Sequence, residues 1–179
     1  MGVRKPAVFL DRDGVLTEER SYVTCLEELK IFPFAKMCVE QIHKKGYYAI
    51  VVTNQSGIAR GLFTENQLEE MNRFLIEMTG VDAVYYCPHH PQGKIGRYGI
   101  VCQCRKPKIG MFEKACRDFA IDMGTSFMVG DRAGDVIAGE NAGLQTVLVE
   151  SGYGLARLEA EVAPGHIIQD LRELTEVLP

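Results

Sequence analysis

The chain has 179 residues, 46% hydrophobic and 25% charged, which suits one domain with a substantial core and is far from a disordered composition. A formal net charge of −4 gives no general attraction to nucleic acid or anionic membranes, and leaves local basic clusters as the places to look for bound phosphate. No apolar run reaches bilayer length and the opening MGVRKPAVFLDRDG has no signal-peptide core, so a cytoplasmic protein is expected, with its six cysteines as thiols or thiolate ligands rather than disulfides.

In chain order, Ala7-Val8-Phe9-Leu10 reads as a buried strand that stops at Asp11. Ala35, Cys38, Val39 and Ile42 mark one face of a helix closed by Gly46, and Tyr47 to Val52 is a strand that stops at Thr53. Thr64 and Gln67 have the capping-box spacing ahead of Leu68, Met71, Leu75 and Met78, a second helix. Val81 to Tyr86 is a strand leading into a cysteine-containing loop, and Met111, Phe112, Ala115, Cys116 and Phe119 make a third helical face. Ser126 to Val129 is a strand ending in Gly130-Asp131, Gln145 to Val149 another, and Ile167-Ile168 with Leu171, Leu174 and Leu178 closes the chain as a helix.

Alternation of nearly all-apolar strands with amphipathic helices predicts an α/β fold, a single Rossmann-like parallel sheet flanked by helices, with residues 1–179 forming one domain. Ligands of such sheets sit beyond the carboxyl ends of the strands, which places Asp11, Thr53 and Asp131 on one rim. The segments between Asp11, Thr53 and Lys106 are too short for a cap domain, so loops alone are expected to roof the site. With no heptad pattern or cap element, a monomer is the simplest expectation.

The rim residues suggest phosphoryl chemistry. A carboxylate at a strand end can attack phosphorus and form an aspartyl-phosphate, splitting one difficult hydrolysis into two easier steps. Its repulsion from a phosphate dianion is relieved by Mg²⁺, a hard cation that takes oxygen ligands, here Asp11 and Asp131. Asp13, two residues beyond Asp11, suits general acid/base work. The Thr53 hydroxyl and the backbone N–H groups of Asn54, Gln55 and Ser56 suit phosphoryl oxygens, and Lys106 supplies positive charge. Each feature alone has a bland reading: DxD is often a surface turn, Thr53 an ordinary strand end, and GDRAGD a loop with a helix cap at Gly134 or Asp135. Their joint order is what argues for a site.

That order, carried by FLDRDGVL, VVTNQSGIARG, YYCPHHP, CQCRKP and MVGDRAGD, resembles the haloacid dehalogenase superfamily of phosphotransferases. Within it the whole chain resembles the D-glycero-D-manno-heptose 1,7-bisphosphate phosphatases, relatives of the histidinol-phosphate phosphatases. The resemblance implies Asp11 as nucleophile, Asp13 as acid/base, and Mg²⁺ on Asp11, Asp131 and Asp13 through its carbonyl. It implies a cap-less haloacid dehalogenase-like core that removes the C7 phosphate of a heptose bisphosphate on the route to nucleotide-activated heptose and lipopolysaccharide. Arg12, Thr53, Arg105 and Lys106 would then hold phosphate and sugar, Glu19, Arg20, Ser21 and Tyr22 the sugar hydroxyls, and Arg105 a second, remote phosphate. Two departures stand out. Ser21 occupies a position where the family usually has glycine, and Lys108-Ile109-Gly110 stands where Pro-Gly is commoner.

Cys87, His89, Cys102 and Cys104 supply three thiolates and one imidazole, a tetrahedral zinc set, with free thiols or a disulfide as alternatives and His90 as a rival ligand. Four protein ligands leave no open position, so the zinc would be structural and would fix the 87–104 loop just before Arg105-Lys106. Cys25, Cys38 and Cys116 read as core or near-core thiols, His43 as a solvated helix residue, His166 as a loop residue, and Arg60 as an exposed arginine or a substrate contact. Rival functions are histidinol-phosphate hydrolysis, polynucleotide 3′-phosphatase activity, disfavoured by the lack of a basic track, a receiver domain, and a catalytically dead sugar-phosphate binder.

Overall fold

In the computed structural model, which describes residues 4–157 and 161–179, six parallel strands form one sheet in the order β3-β2-β1-β4-β5-β6. The strands are β1 (Ala7–Leu10), β2 (Tyr48–Asn54), β3 (Ala83–Cys87), β4 (Phe127–Gly130), β5 (Gln145–Val149) and β6 (His166–Ile168). The helices are α1 (Ala35–Lys44), α2 (Glu65–Thr79), α3 (Gly110–Asp118), α4 (Ala133–Asn141) and the short α5 (Leu174–Val177).

Alternation along each strand splits the core into two layers. Val8, Leu10, Ala49, Val51, Phe127 and Val129 face Cys38, Val39 and Ile42 of α1, Leu75 of α2 and Leu174 of α5. Ala7, Phe9, Ile50, Val52 and Met128 face Met111, Phe112 and Ala115 of α3 and Ala138 of α4. Both faces are therefore covered, which is why the strands read as continuous apolar runs rather than alternating ones. A third, smaller core lies under the loops at the carboxyl end, where Val23 and Leu29 meet Ile58, Phe63, Leu68, Met71 and Tyr98.

Thr64 caps α2 as its spacing predicts, accepting from the Gln67 backbone N–H, while the Gln67 side chain accepts from the Thr64 N–H at 2.9 Å. Three expectations are corrected. Residues 166–168 form an edge strand, in register with Val147–Val149 of β5, and only a 3-10 turn and α5 follow. Three apolar or neutral residues give no period from which strand and helix can be told apart. His166 thus lies in a strand. Of the three thiols expected in or near the core, Cys38 is buried and Cys25 half-buried, while Cys116 is exposed; burial pushes the Cys38 thiol up to about 11. The α4 N-cap is Arg132, not Gly134 or Asp135. His43 is tied to Asp82 at 2.9 Å, and Asp82 in turn accepts from the Ala49 N–H.

Candidate active site and a second ligand cluster

The carboxyl ends of β1, β2 and β4 open onto a cavity of about 320 Å³. Asp11 follows β1 directly, its N–H donating to the Val129 carbonyl at 2.9 Å, and Asp131 follows β4. Because β1 and β4 are paired neighbours, their ends bring the two carboxylates together. Asp135, in the first turn of α4, completes a buried trio whose ligand oxygens all lie within 4.8 Å of one another. The close approach depends on small neighbours: a Cβ on Gly14 or on Gly152 would stand 2.5 or 2.1 Å from Asp131 Oδ2.

The Lys106 ammonium is sealed against this trio, 3.0 Å from Asp11 Oδ1 and 2.7 Å from Asp135 Oδ1, and donates to the Val52 carbonyl at 2.7 Å. Its backbone is gripped by Asn54, whose Oδ1 accepts from the Lys106 N–H at 3.0 Å and whose Nδ2 donates to the Lys106 carbonyl at 3.1 Å. Asn54 therefore places the lysine. Asp135 Oδ2 accepts from the N–H groups of Asp131 and Arg132, so Asp135 also fixes the strand–helix turn.

Three carboxylates against one buried ammonium leave this cluster short of positive charge. Burial pushes Asp11 up to about 6; Lys106 pulls it down, and Asp135 and Asp13 push it up. Burial, then Asp11 and Asp135, push Asp131 up to about 8. Burial works against the charge on Lys106, yet Asp11 and Asp135 outweigh it and hold the ammonium above its usual range. Asp131 Oδ1 is buried with no hydrogen-bond partner, its nearest cation being Arg132 Nε at 3.7 Å. An all-oxygen, over-acidic cluster with an orphaned oxygen fits a hard divalent cation of the Mg²⁺ kind.

Asp13 lies outside that trio. Its carboxylate accepts from Arg12 Nε at 3.0 Å and Nη2 at 2.9 Å, from Thr17 Oγ1 at 3.1 Å and from Gln55 Nε2 at 3.0 Å. Gln55 Nε2 also reaches Thr53 Oγ1 at 3.0 Å. Of the residues predicted from sequence, Asp11, Asp13, Glu19, Ser21, Tyr22, Thr53, Asn54, Gln55, Ser56, Arg105 and Lys106 line the cavity. Three do not. Arg12 is wholly buried behind Asp13, Asp131 is wholly buried beneath the cavity wall, and Arg20 is an exposed partner of Glu18. Glu19 is taken by Arg132 Nη2 at 2.8 Å, which ties the loop after β1 to the start of α4.

Sequence reasoning missed three polar wall residues, His90, Arg132 and Asp135, and left Arg60 open between an exposed arginine and a substrate contact. Asp135 had a signal in the second acid of GDRAGD, where it was weighed only as a helix cap. His90 had one in its neighbour: if His89 turns into the cysteine cluster, the next side chain points elsewhere.

The structure brings the second predicted set together. Cys87, the last residue of β3, lies 3.5 Å from Cys102 and 3.1 Å from Cys104 between sulfurs, Cys102 and Cys104 are 3.4 Å apart, and His89 Nδ1 is 3.4 Å from Cys104 and 3.7 Å from Cys87. A zinc tetrahedron with Zn–S near 2.3 Å has edges of about 3.8 Å, so four ligands of the right chemistry sit at nearly the right separations. Bonds from Cys87, His89 and Cys102 pull the Cys104 thiol down to about 5 despite its burial. His90 is not in the set; its Nδ1 accepts from the Gln92 N–H. One expectation needs revising, because the 87–104 loop also packs itself: Tyr98 is buried in the third core and bonds Glu65, and the N–H groups of Lys94 and Ile95 donate to the Ala59 carbonyl.

Comparison with known proteins agrees with this geometry. A family model described as HAD-hydrolase-like matches residues 103–174. The D-glycero-β-D-manno-heptose-1,7-bisphosphate 7-phosphatase of Haemophilus ducreyi is 42% identical over 95% of this chain and 96% of its own, and that of Escherichia coli K12 is 38% identical over 97% and 93%. The crystal structure of D,D-heptose 1,7-bisphosphate phosphatase from B. bronchiseptica, complexed with magnesium and phosphate, superposes with a TM-score of 0.81 at 32% identity over 97% of both chains. The chain belongs to the D-glycero-β-D-manno-heptose-1,7-bisphosphate 7-phosphatase family of haloacid dehalogenase-like hydrolases.

Proposed function

We propose that the protein is a magnesium-dependent phosphomonoester hydrolase that removes the C7 phosphate of D-glycero-β-D-manno-heptose 1,7-bisphosphate. The observation that carries this is the buried Asp11–Asp131–Asp135 trio with Lys106 sealed against it, at the mouth of a cavity with cationic walls, in a chain 42% identical to a named heptose bisphosphate phosphatase.

Asp11 attacks the C7 phosphorus, and its carboxylate oxygen becomes bonded to the phosphoryl group as the P–O bond to the sugar breaks. Asp13 gives its proton to the departing alkoxide, then as a carboxylate takes a proton from water. That water's oxygen attacks phosphorus, and breakage of the Asp11–phosphorus linkage releases inorganic phosphate and regenerates both acids. Thr53, the backbone N–H groups of Asn54 to Ser56, and Lys106 hold the phosphoryl oxygens. Mg²⁺ would be held by the carboxylates of Asp11 and Asp131 and the Asp13 carbonyl, and would supply the positive charge that offsets repulsion between nucleophile and phosphate. Asp135 acts through Lys106 and the α4 turn rather than on substrate.

Arg60, His90 and Arg105 stand together on the wall; Arg60 Nη2 is 3.5 Å from His90 Nε2, and Arg105 Nη1 is 3.4 Å from the His89 carbonyl. They suit the remote C1 phosphate, a feature that favours a sugar bisphosphate over histidinol phosphate. Glu19, Ser21 and Tyr22 face the sugar between the two ends. Cys87, His89, Cys102 and Cys104 would hold a structural zinc, which would fix the approach to Arg105 and Lys106. The reading includes one catalytic domain working as a monomer in the cytoplasm; among the described residues no helix is long and apolar enough to cross a membrane.

The test is phosphate release with Mg²⁺ from the β-heptose 1,7-bisphosphate, the α-anomer and histidinol phosphate. The β-bisphosphate is expected to have the highest kcat/KM by at least about tenfold, the scale of one extra charged contact. Preference for histidinol phosphate would overturn the substrate assignment.

A further inference from the structure

Arg12 is the largest side chain that the fold buries completely, and it does not touch the cavity. Its guanidinium forks onto both oxygens of Asp13, at 3.0 and 2.9 Å, and Nη2 reaches Gln55 Oε1 at 3.3 Å. Thr17 and Gln55 supply two further bonds, so four donors surround a carboxylate that has about four acceptor positions. Such a shell fixes the position and orientation of the Asp13 carboxyl group.

A buried ion pair is a poor stabiliser of a fold, since apolar residues of similar volume often serve equally well. Here the guanidinium also leaves Nη1 buried with no hydrogen-bond partner. The charge therefore points to a role in the reaction. The two half-reactions make opposite demands on Asp13: proton donor to the alkoxide in the first, carboxylate base toward water in the second.

We propose that Arg12 is a positioning residue, its fork fixing the Asp13 carboxyl group where it can take the proton of the attacking water in the second half-reaction. Gln55 Nε2, shared between Asp13 and Thr53, ties that carboxylate to the phosphoryl-binding hydroxyl. The inference rests on the phosphatase reading above and names a residue that the cavity wall alone does not reveal.

p-Nitrophenyl phosphate separates the two halves, because nitrophenolate leaves without needing a proton while hydrolysis of the phosphoenzyme still needs a base. In stopped flow with Mg²⁺, wild type should release nitrophenolate in a single linear phase. Arg12→Met should give a burst of about one equivalent per site followed by turnover slowed on the order of a hundredfold. Arg12→Lys, which keeps the charge but loses the fork, should recover part of the rate with a smaller burst, and Thr17→Val should show the mildest form of the same split. Wild-type kcat in soluble Arg12→Met, or lost turnover with no burst, would overturn the inference. If Arg12→Met fails to fold, a single wild-type-like phase in both Arg12→Lys and Thr17→Val would overturn it. A wild type that turns over neither p-nitrophenyl phosphate nor the heptose bisphosphate would instead sink the phosphatase reading.

Discussion

Two ligand clusters occupy the same rim of the sheet and are built in opposite ways. The carboxylate trio comes from the ends of adjacent strands and the first turn of α4, is buried, has raised proton affinities at Asp11 and Asp131, and meets the cavity through Asp11 and Asp135. The cysteine–histidine set comes from the end of β3 and a long loop, and a zinc bound there would have all four tetrahedral positions filled by protein. Strand ends hold chemistry that must keep a free position, whereas the loop set would leave none. The Asn54 clasp on Lys106 joins the two, because Asn54 ends β2 while Lys106 follows the last cysteine by two residues.

The sharpest way to break that division is Cys104→Ser. If the loop cluster acts only by positioning, the variant should lose zinc and about ten- to a hundredfold in kcat/KM while circular dichroism shows an intact sheet. Global unfolding would show that the two regions are not separable. Arg105→Ala comes next. It should raise KM for the bisphosphate about tenfold and leave that for a monophosphate nearly unchanged. Equal effects would remove Arg105 from the remote phosphate.

The carboxylate cluster predicts its own pH signature. Asp11 and Asp131 have folded-state pKa values of about 6 and about 8, above the ordinary range. The folded protein therefore binds more protons than the unfolded chain between about pH 4 and pH 8. Without added magnesium, and with zinc kept, the contribution of these groups is fully present near pH 4 and is lost as pH rises through those values. Tm should fall across pH 5 to 8, and saturating Mg²⁺, which would bind ionised Asp11 and Asp131, should flatten the slope. A flat profile without magnesium would mean that the trio is not strained by its own charge.

The smallest effect concerns Ser21. Its φ is +61°, in the left-handed region where a Cβ is unfavourable, and the family's usual glycine suits that conformation. Ser21→Gly should stabilise the protein by about 1 kcal/mol in urea unfolding, provided the unfolded chain's added entropy does not cancel it. Destabilisation would show that the serine hydroxyl has a compensating contact.

Most of the sheet was legible because strands covered on both faces are continuous apolar runs, and the rim followed from where those runs stop. Asp11, Thr53 and Asp131 could be placed that way from sequence alone. β6 could not, since His166-Ile167-Ile168 is too short to show a period. Arg12 was assigned to substrate, but its side chain turns onto Asp13; that the Asn54 side chain clasps Lys106, 52 positions away, had no local signal. Arg60 carried only the ambiguous signal of GIARG and Arg132 none, and only the folding of two distant loops over the rim brings them to the cavity.

Phosphorylation of Asp11 is the central claim and can be observed directly. Enzyme quenched in acid during turnover of the heptose bisphosphate, digested and read by mass spectrometry, should carry a phosphoryl group on Asp11, and Asp11→Asn should carry none and hydrolyse nothing. Phosphate on another side chain, or full turnover by Asp11→Asn, would contradict the account.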